Sequence, residues 1–592
     1  MKKQRCYTSL SIGLLSLIVF AACSRVDSAT EKANGSKKSS STSDIELLEE
    51  KPEVAKVKRS NQPNRIVANF NGDTKTEMGF NWYTTDKFDD ASVWVSTSKD
   101  MADAQAFEAK AERVTSRYGQ RDKEGNFIYA DIKRDKEGEV VEKNGKAEIN
   151  GYYTDKEITA DNKDWTSGDN IGSLDLEDVT EYSYKAKASG LQPDTTYYYQ
   201  VGSEKGDVSG TGTFTTSGEN GDEFKFVHYT DTQNAYWNEN VRNEADFGAD
   251  TIKQALETAG DANFVLHTGD IVEIAEVEDE WQDIYGKSEE FWMKQPLAMV
   301  PGNHDEYALN EDDDLLTEIY NQHVNVPAEN NAKDGGSYYS YDYNGVHFVV
   351  ANTNDNKKSK DNPEEKALGK KQMDWIEKDI KEARSNGTNW VVMTYHKPLF
   401  SRSYHSLEDE DVQAVREEFM EQIDELDVDL ALQGHDHVSS RTEPLNYLPT
   451  NESFSNAKID EADKIKKEGT EYYQSPEGTV FVLPNNGGTK AYDDIYSKGV
   501  QHVHSVRPEL DWLTQNDIDY WNSLFAYGTQ PQNSTEFDDS HENARDSSTQ
   551  NFAVYDVKND ELGVKIYQIN GDLAKDENRE VELVHEFGID KN

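Results

Sequence analysis

The residues that could carry chemistry stand at five places, each at the end of a short apolar run. Asp231 follows Phe224–Thr230, and Asp270 follows Asn263–Thr268 and a single glycine, Gly269. Asn303, His304 and Asp305 follow Pro296–Val300 across Pro301-Gly302. His396 follows Trp390–Tyr395, and His435 and His437, either side of Asp436, follow Asp429–Gln433 and Gly434. Apolar runs this short, closed by Gly, Asn or Asp, read as buried strands and not as helices. Gly302 lets the backbone turn and approach closely whatever is bound there. Taken singly, each residue has a plain explanation as a polar turn, a helix cap or a satisfied core histidine. Together they form a set of two carboxylates, an amide and several imidazoles with no thiol. Such mixed oxygen and nitrogen donors suit Mn, Fe or Zn. A carboxylate shared between two ions would hold them about 3.5–4 Å apart, the clamp for in-line displacement at phosphorus.

The elements that must position these residues follow an α/β pattern from Phe224 onward. Ile252, Ala255, Leu256 and Ala259 fall on one helical face, and Trp281–Lys294, Lys366–Ser385 and Asp409–Leu426 read as further helices. Asn344-Gly345 joins two strands, Ser337–Tyr343 and Val346–Ala351, as a tight hairpin. In open α/β sheets the ligand crevice lies beyond the carboxyl ends of the strands, so the five places converge. Past His437, Arg441–Ser475 is a polar insertion, and Gly478–Pro484 is a strand ending in Asn485-Asn-Gly-Gly488. His502 and His504 would share one side if that stretch were extended, lining a pocket or lying at the surface. Asp511–Ser548 is polar, and Asn551–Val557 with Gly563–Tyr567 closes the domain as an antiparallel pair.

Ahead of this domain, Ile66–Phe70, Met78–Trp82 and Ala91–Val95 are strand-like runs spaced by Gly, Asp and Asn turns. Leu191-Gln-Pro-Asp-Thr-Thr-Tyr197 through Val201 resembles the corner of fibronectin type III sandwiches, in which a tyrosine hydroxyl ties the corner and an early tryptophan fills the core. Tyr197 and Trp82 would take those parts, with Thr213–Thr216 as the last strand. Lys99 to about Thr180 reads as a charged insertion with little core of its own. Nothing in this domain suggests chemistry.

Lys2, Lys3 and Arg5 followed by the apolar stretch Leu10–Ala22 read as an export signal. Phe20-Ala21-Ala22-Cys23 resembles a bacterial lipobox, although such boxes usually carry Leu where Phe20 stands. Lipid attachment at Cys23 outside the cytoplasmic membrane is the expectation, with ordinary cleavage and secretion as the alternative. The only other cysteine of the 592 residues, Cys6, lies in the removed segment, so no disulfide forms within the mature chain. The organisation expected is a signal at 1–22, a disordered tether at 23–60, and an all-β domain at 61–217 with an insertion at about 99–180. The α/β domain at 222–592 carries insertions at about 441–475 and 506–548. A formal net charge of −52 excludes nucleic acid and anionic membrane surface as electrostatic partners. A phosphorylated substrate then needs local positive charge, and metal ions are its expected source.

The ordered series Asp231-x-Gln233, Gly269-Asp270, Gly302-Asn303-His304-Asp305, His396 and Gly434-His435-x-His437 resembles the calcineurin-like metallophosphoesterase superfamily. With a fibronectin-like domain in front, the chain is most similar to bacterial purple acid phosphatase-like proteins, and Tyr338–Phe348 resembles their segment between the third and fourth motifs. The resemblance implies an α/β/β/α domain, two sheets sandwiched by helices, holding two divalent or trivalent ions. Asp270 would bridge them, Asp231 and His437 would bind the first, and Asn303, His396 and His435 the second. A metal-bound hydroxide would attack phosphorus, with His304 beside the leaving oxygen and Asp305 orienting it. Two departures stand out. Gln233 occupies a position where many members carry His, and Glu273 occupies the place of the iron-binding tyrosine; either is a possible ligand or a support. An extracytoplasmic phosphomonoesterase acting on a small phosphorylated substrate is the function implied. A phosphodiesterase or nucleotidase and a non-catalytic surface lipoprotein are the alternatives.

Overall fold

A computed structural model describes residues 45–136, 138–158, 172–309, 317–327, 337–529, 545 and 547–592. The expected export signal and Cys23 lie outside the described residues. Among those described, no helix is long and apolar enough to cross a membrane.

The chain begins as an all-β domain and continues as the expected α/β/β/α domain. The first large sheet of the second domain runs, in order, through Leu297–Met299, Phe264–His267, Phe224–Tyr229, Gln550–Lys558, Glu561–Asn570, Glu580–Asp590, Thr470–Gln474 and Lys464–Lys467. The second runs through Tyr339–Tyr343, Val346–Val350, Trp390–Thr394, Leu430–Leu432, Val480–Leu483, Ser439–Thr442 and Phe525–Thr529. The strands that carry the motifs are parallel within each sheet, so they deliver their ends to one side. Both faces of the second sheet are buried, and alternate residues choose different partners. Trp390 and Val392 belong to the core shared with the first sheet, whereas Val391 and Met393 pack with Ile376, Phe419 and Ile423 of the outer helices. Phe348 bridges the two sheets, 5.4 Å from Phe226 and 5.5 Å from Phe264 between ring centres. At the hairpin tip, Asn344 and Gly345 have φ of 48° and 90°, a pair that tolerates left-handed backbone in a two-residue turn.

The N-terminal domain covers the edge of the first sheet. Asn69 Nδ2 donates to the Leu297 carbonyl at 2.8 Å, and Phe70 stacks on Tyr341 at 4.6 Å. Trp82 is fully buried against Tyr184, and the Tyr197 hydroxyl accepts from the Gln192 N–H at 2.9 Å. Arg65 is enclosed between the domains. It pairs with Glu181 of the N-terminal domain at 3.0 Å and with Glu278 of the Glu278–Trp292 helix, whose carboxylate also meets His323 Nε2 at 2.9 Å.

Several sequence expectations are corrected. The stretch at 99–180 contains one long strand of the N-terminal sheet, Gln105–Gly119, and the start of another, Leu176–Ser189, paired directly with it. It also contains a three-stranded sheet with its own core of Phe127, Tyr129, Tyr153 and Leu174. That core packs against Tyr236, Ile274 and Val277, just beyond the Asp231 and Asp270 turns. The expected tether is ordered from Ile45, which is buried there, and Leu48 bridges to Tyr152. The insertion at 441–475 supplies two edge strands of the first sheet. The one at 506–548 supplies the Gln515–Ser523 helix, whose Trp521 is fully buried, and the Phe525–Thr529 strand. His502 and His504 lie on a helix, Val500–Val506, where they meet Asp493 and the Leu513 carbonyl, each at 3.0 Å. The closing antiparallel pair gains a third strand, Glu580–Asp590.

Candidate metal centre

The two sheets meet at the carboxyl ends of their parallel strands, and each supplies half of the site. Asp231, Asp270, Asn303 and His304 come from the first sheet; His396, His435 and His437 come from the second. Contacts across the junction are direct. His396 Nε2 lies 3.1 Å from both Asp270 Oδ2 and Asn303 Oδ1, and its Nδ1 lies 2.8 Å from the Thr268 carbonyl. His437 Nε2 lies 3.4 Å from Asp231 Oδ1, with Nδ1 2.7 Å from the Lys490 carbonyl. The His435 N–H donates to Asp231 at 3.0 Å. In His396 and His437 a carbonyl fixes the proton on Nδ1, leaving the Nε2 lone pair for a ligand, the usual support of a metal-bound imidazole. His437 Nε2 and Gln233 Oε1 are buried without hydrogen-bond partners.

Backbone strain is concentrated here. Asp231, Gln233, Asp270 and His435 have φ of 52°, 38°, 56° and 72°. Non-glycine residues in that region cost about 1–3 kcal/mol where the surroundings must hold them. Gly302 is required by contact: a Cβ there would come within 2.1 Å of Asp270 Oδ1.

The electrostatics favour a cation. Burial raises the Asp270 carboxyl, but His396 and His304 outweigh it and hold the group well below its ordinary range. Burial lowers His396, yet Asp270 and Asp231 push it up to about 9, so the two carboxylates stabilise positive charge at that point. Burial, reinforced by His405 and His396, holds His435 far below its usual value as a neutral ring. The donors therefore fit metal ions. Asp270, His396 and His435 bring ligand atoms within 4.8 Å of one another, and so do His405, Asp409 and His435.

Three expected roles are revised or sharpened. Asp305 does not orient His304; its carboxylate accepts N–H bonds from Asp270 at 3.0 Å, Ile271 at 2.7 Å, Val272 at 3.3 Å and Gly302 at 2.9 Å. It thereby locks the Asp270 turn to the Gly302 turn. His304 is instead held by Glu273: Nδ1 lies 2.8 Å from the Glu273 carbonyl and 3.4 Å from its carboxylate. That carboxylate is paired with Arg545, and although burial alone would raise it, Arg545 and His304 bring it down to about 2. Gln233 Nε2 donates to Asp270 Oδ2 at 3.1 Å, and its backbone carbonyl accepts from Arg545 at 3.0 Å.

Sequence reasoning missed His405, Asp409, Lys490, Tyr492 and Arg545. His405 pairs with Asp436, and its ring lies 4.1 Å from that of His435. Asp409 Oδ2 lies 3.2 Å from His435 Nε2. Their four-residue spacing shortly after the strand that ends at His396 was the available signal. Arg545 lies far along the chain and had none.

A family model described as calcineurin-like phosphoesterase matches residues 224–439, and one described as purple acid phosphatase, N-terminal domain, matches residues 63–216. Among curated proteins, purple acid phosphatase 18 of Arabidopsis thaliana is 24% identical over 48% of this chain and 60% of its own length. Probable inactive purple acid phosphatase 9 of the same plant is 25% identical over 44% and 43%. The chain thus spans about half the length of the curated relatives it matches. Among solved structures, a purple acid phosphatase from yellow lupin (Lupinus luteus) seeds superposes with a TM-score of 0.54 at 16% identity, covering 90% of this chain and 75% of that one. PhoD does so with a TM-score of 0.51 at 10% identity, covering 91% and 92%. These likenesses are of fold. The motif series, the junction of two sheets and the paired family matches agree: the chain carries a calcineurin-like phosphoesterase domain with a purple acid phosphatase N-terminal domain in front of it.

Proposed function

We propose that this protein hydrolyses phosphomonoesters at a two-ion centre, and that it does so outside the cytoplasm on a lipid anchor at Cys23. The observation that carries the catalytic reading is the meeting of donors from both sheets in one buried cluster, with the Nε2 atoms of His396 and His437 turned towards Asp270 and Asp231. Asp231 and His437 would hold one ion, Asn303, His396 and His435 would hold the other, and Asp270 would serve both. The ions supply the positive charge that grips phosphoryl oxygens and acidifies water. The protein's own residues do the rest. Asp305 keeps the Asp270 turn in its strained form by taking up four backbone N–H groups. His304, with its Nδ1 against the Glu273 carbonyl and carboxylate, would in its imidazolium form give the Nε2 proton to the leaving oxygen. The anchor is supported by the lipobox-like run ending at Cys23.

Metal content of the purified protein, measured beside rates on a phosphomonoester and a phosphodiester, tests the reading. We expect about two ions per chain and faster monoester hydrolysis. Protein that lacks metal and turns over neither ester serves binding instead. Faster diester hydrolysis would replace the monoester reading with the phosphodiesterase one.

A further inference from the structure

The cations bordering the site divide into two kinds. Lys397 is paired with Asp411, Arg507 with Glu408 at 3.5 Å, Arg545 with Glu273, and Lys498 with Asp493 at 3.1 Å. Lys490 is different. It is only 6% exposed, yet among the described residues no carboxylate lies within ion-pair distance of its ammonium. Its Nζ stands 5.6 Å from the Tyr492 ring, and that ring packs 4.5 Å from His437. The ammonium is also close enough to act electrostatically on Glu273, His304 and Tyr404.

The backbone beneath Lys490 is fixed on several sides. Its carbonyl holds His437 Nδ1 at 2.7 Å, and the Tyr492 N–H returns to the His437 carbonyl at 3.1 Å. Two residues upstream, Gln550 Nε2 binds the Gly488 carbonyl at 2.8 Å. The Gly487 N–H reaches the Thr230 carbonyl at 2.7 Å, beside Asp231. A long flexible side chain is thus mounted on a rigid base next to an expected metal ligand. An enclosed ammonium with no carboxylate in contact is costly, and more so beside donors arranged for cations. An incoming anion removes that cost.

We propose that Lys490 is an anion-binding residue of this site that selects dianionic phosphomonoesters over monoanionic phosphodiesters. The inference rests on the phosphoester reading above and names its substrate class. A monoester carries nearly two negative charges above its second pKa of about 6, whereas a diester carries one, so a fixed cation favours the former.

The test uses the full, metal-loaded protein, p-nitrophenyl phosphate and bis(p-nitrophenyl) phosphate. Lys490→Met is expected to raise KM for the monoester about 10-fold or more, with a change of about 3-fold or less for the diester. It should weaken competitive inhibition by inorganic phosphate in parallel and leave metal content at the wild-type level. Lys490→Arg should restore most of the monoester preference. Equal losses on both esters, or no loss on either, overturn the proposal. Should Lys490→Met lose metal or fail to fold, Lys490→Arg with native metal content decides, since loss of the monoester preference there also overturns it. If the wild type hydrolyses neither ester, the catalytic reading falls separately. Calorimetric titration with inorganic phosphate then judges Lys490, with weaker binding by Lys490→Met in favour and equal binding against.

Discussion

At the scale of single residues, the geometry separates those proposed to hold ions from the one proposed to serve the reaction. Asp270 faces His396 of the second sheet, whereas His304 Nδ1 faces only Glu273. Asp270→Asn should therefore lower both metal occupancy and turnover. His304→Ala should leave occupancy near wild type and slow turnover about 10²–10⁴-fold, the range for a general acid. The loss should shrink with a good leaving group such as nitrophenol; a loss of equal size for good and poor leaving groups, or loss of metal, would remove His304 from that role. A second prediction follows from Glu273, whose carboxylate is taken up by Arg545 where a tyrosinate would otherwise meet the first ion. Iron-loaded protein should lack an intense tyrosinate band in the visible spectrum. A strong band that vanishes with the iron would show another tyrosine reaching the metal.

At the scale of elements, the motif-bearing strands were legible because each is short, apolar and closed by a ligand-type residue. The long strands Gln105–Gly119 and Leu176–Ser189 were not. The first half of Gln105–Gly119 is exposed on alternate or successive positions, so Gln, Glu, Lys and Arg occupy a strand with little apolar alternation. The edge hairpin Lys464–Lys467 with Thr470–Gln474 is hidden for the same reason. Contacts such as Arg545 with Glu273, or Lys490 with His437, join residues far apart in sequence with no periodicity to reveal them. One such contact is testable by pH. His347 on the Val346–Val350 strand ties its hairpin to the Lys370–Ser385 helix, with Nδ1 2.8 Å from Asp342 and Nε2 3.0 Å from Asp379. Burial lowers the imidazole, but these two carboxylates overcome that and raise it from 6.5 to about 9. A raised basic group stabilises fully below its unfolded value and ceases to do so as pH climbs through its folded one. Unfolding free energy should therefore fall between pH 6.5 and about 9, by on the order of 2 kcal/mol since Asp342 is exposed. Denaturant titrations across that range should show the fall in wild type and its near absence in His347→Gln.

At the scale of the molecule, the two domains share a buried ion cluster. Arg65 lies between Glu181 and Glu278, and all three side chains are at most 7% exposed. Arg65→Met would leave two enclosed carboxylates without their partner, at a cost of about 3–5 kcal/mol in unfolding free energy. Converting Glu181 and Glu278 to Gln in the same chain should return most of it; an Arg65→Met protein as stable as wild type would show the cluster to be solvated. The proposed membrane attachment also belongs to this scale. Cys23→Ala should release the protein or stall its processing, and unchanged membrane partitioning with unchanged lipid labelling would dismiss the anchor.

The placing of the Gln550–Lys558 strand sets a constraint in time. It lies beside Phe224–Tyr229, with Phe224 opposite Val557, so the strand that presents Asp231 gains its second neighbour only after the chain between them exists. As the polypeptide is synthesised, the Asp231 and Asp270 turns emerge early and wait for a partner written near the far end. Until it arrives, the first sheet has an open edge beside the strand that presents Asp231. Such distant pairing is slow to close and leaves apolar strands open to aggregation. A chain kept unfolded until it is complete meets its last strand at the same moment as its first, and the wait disappears.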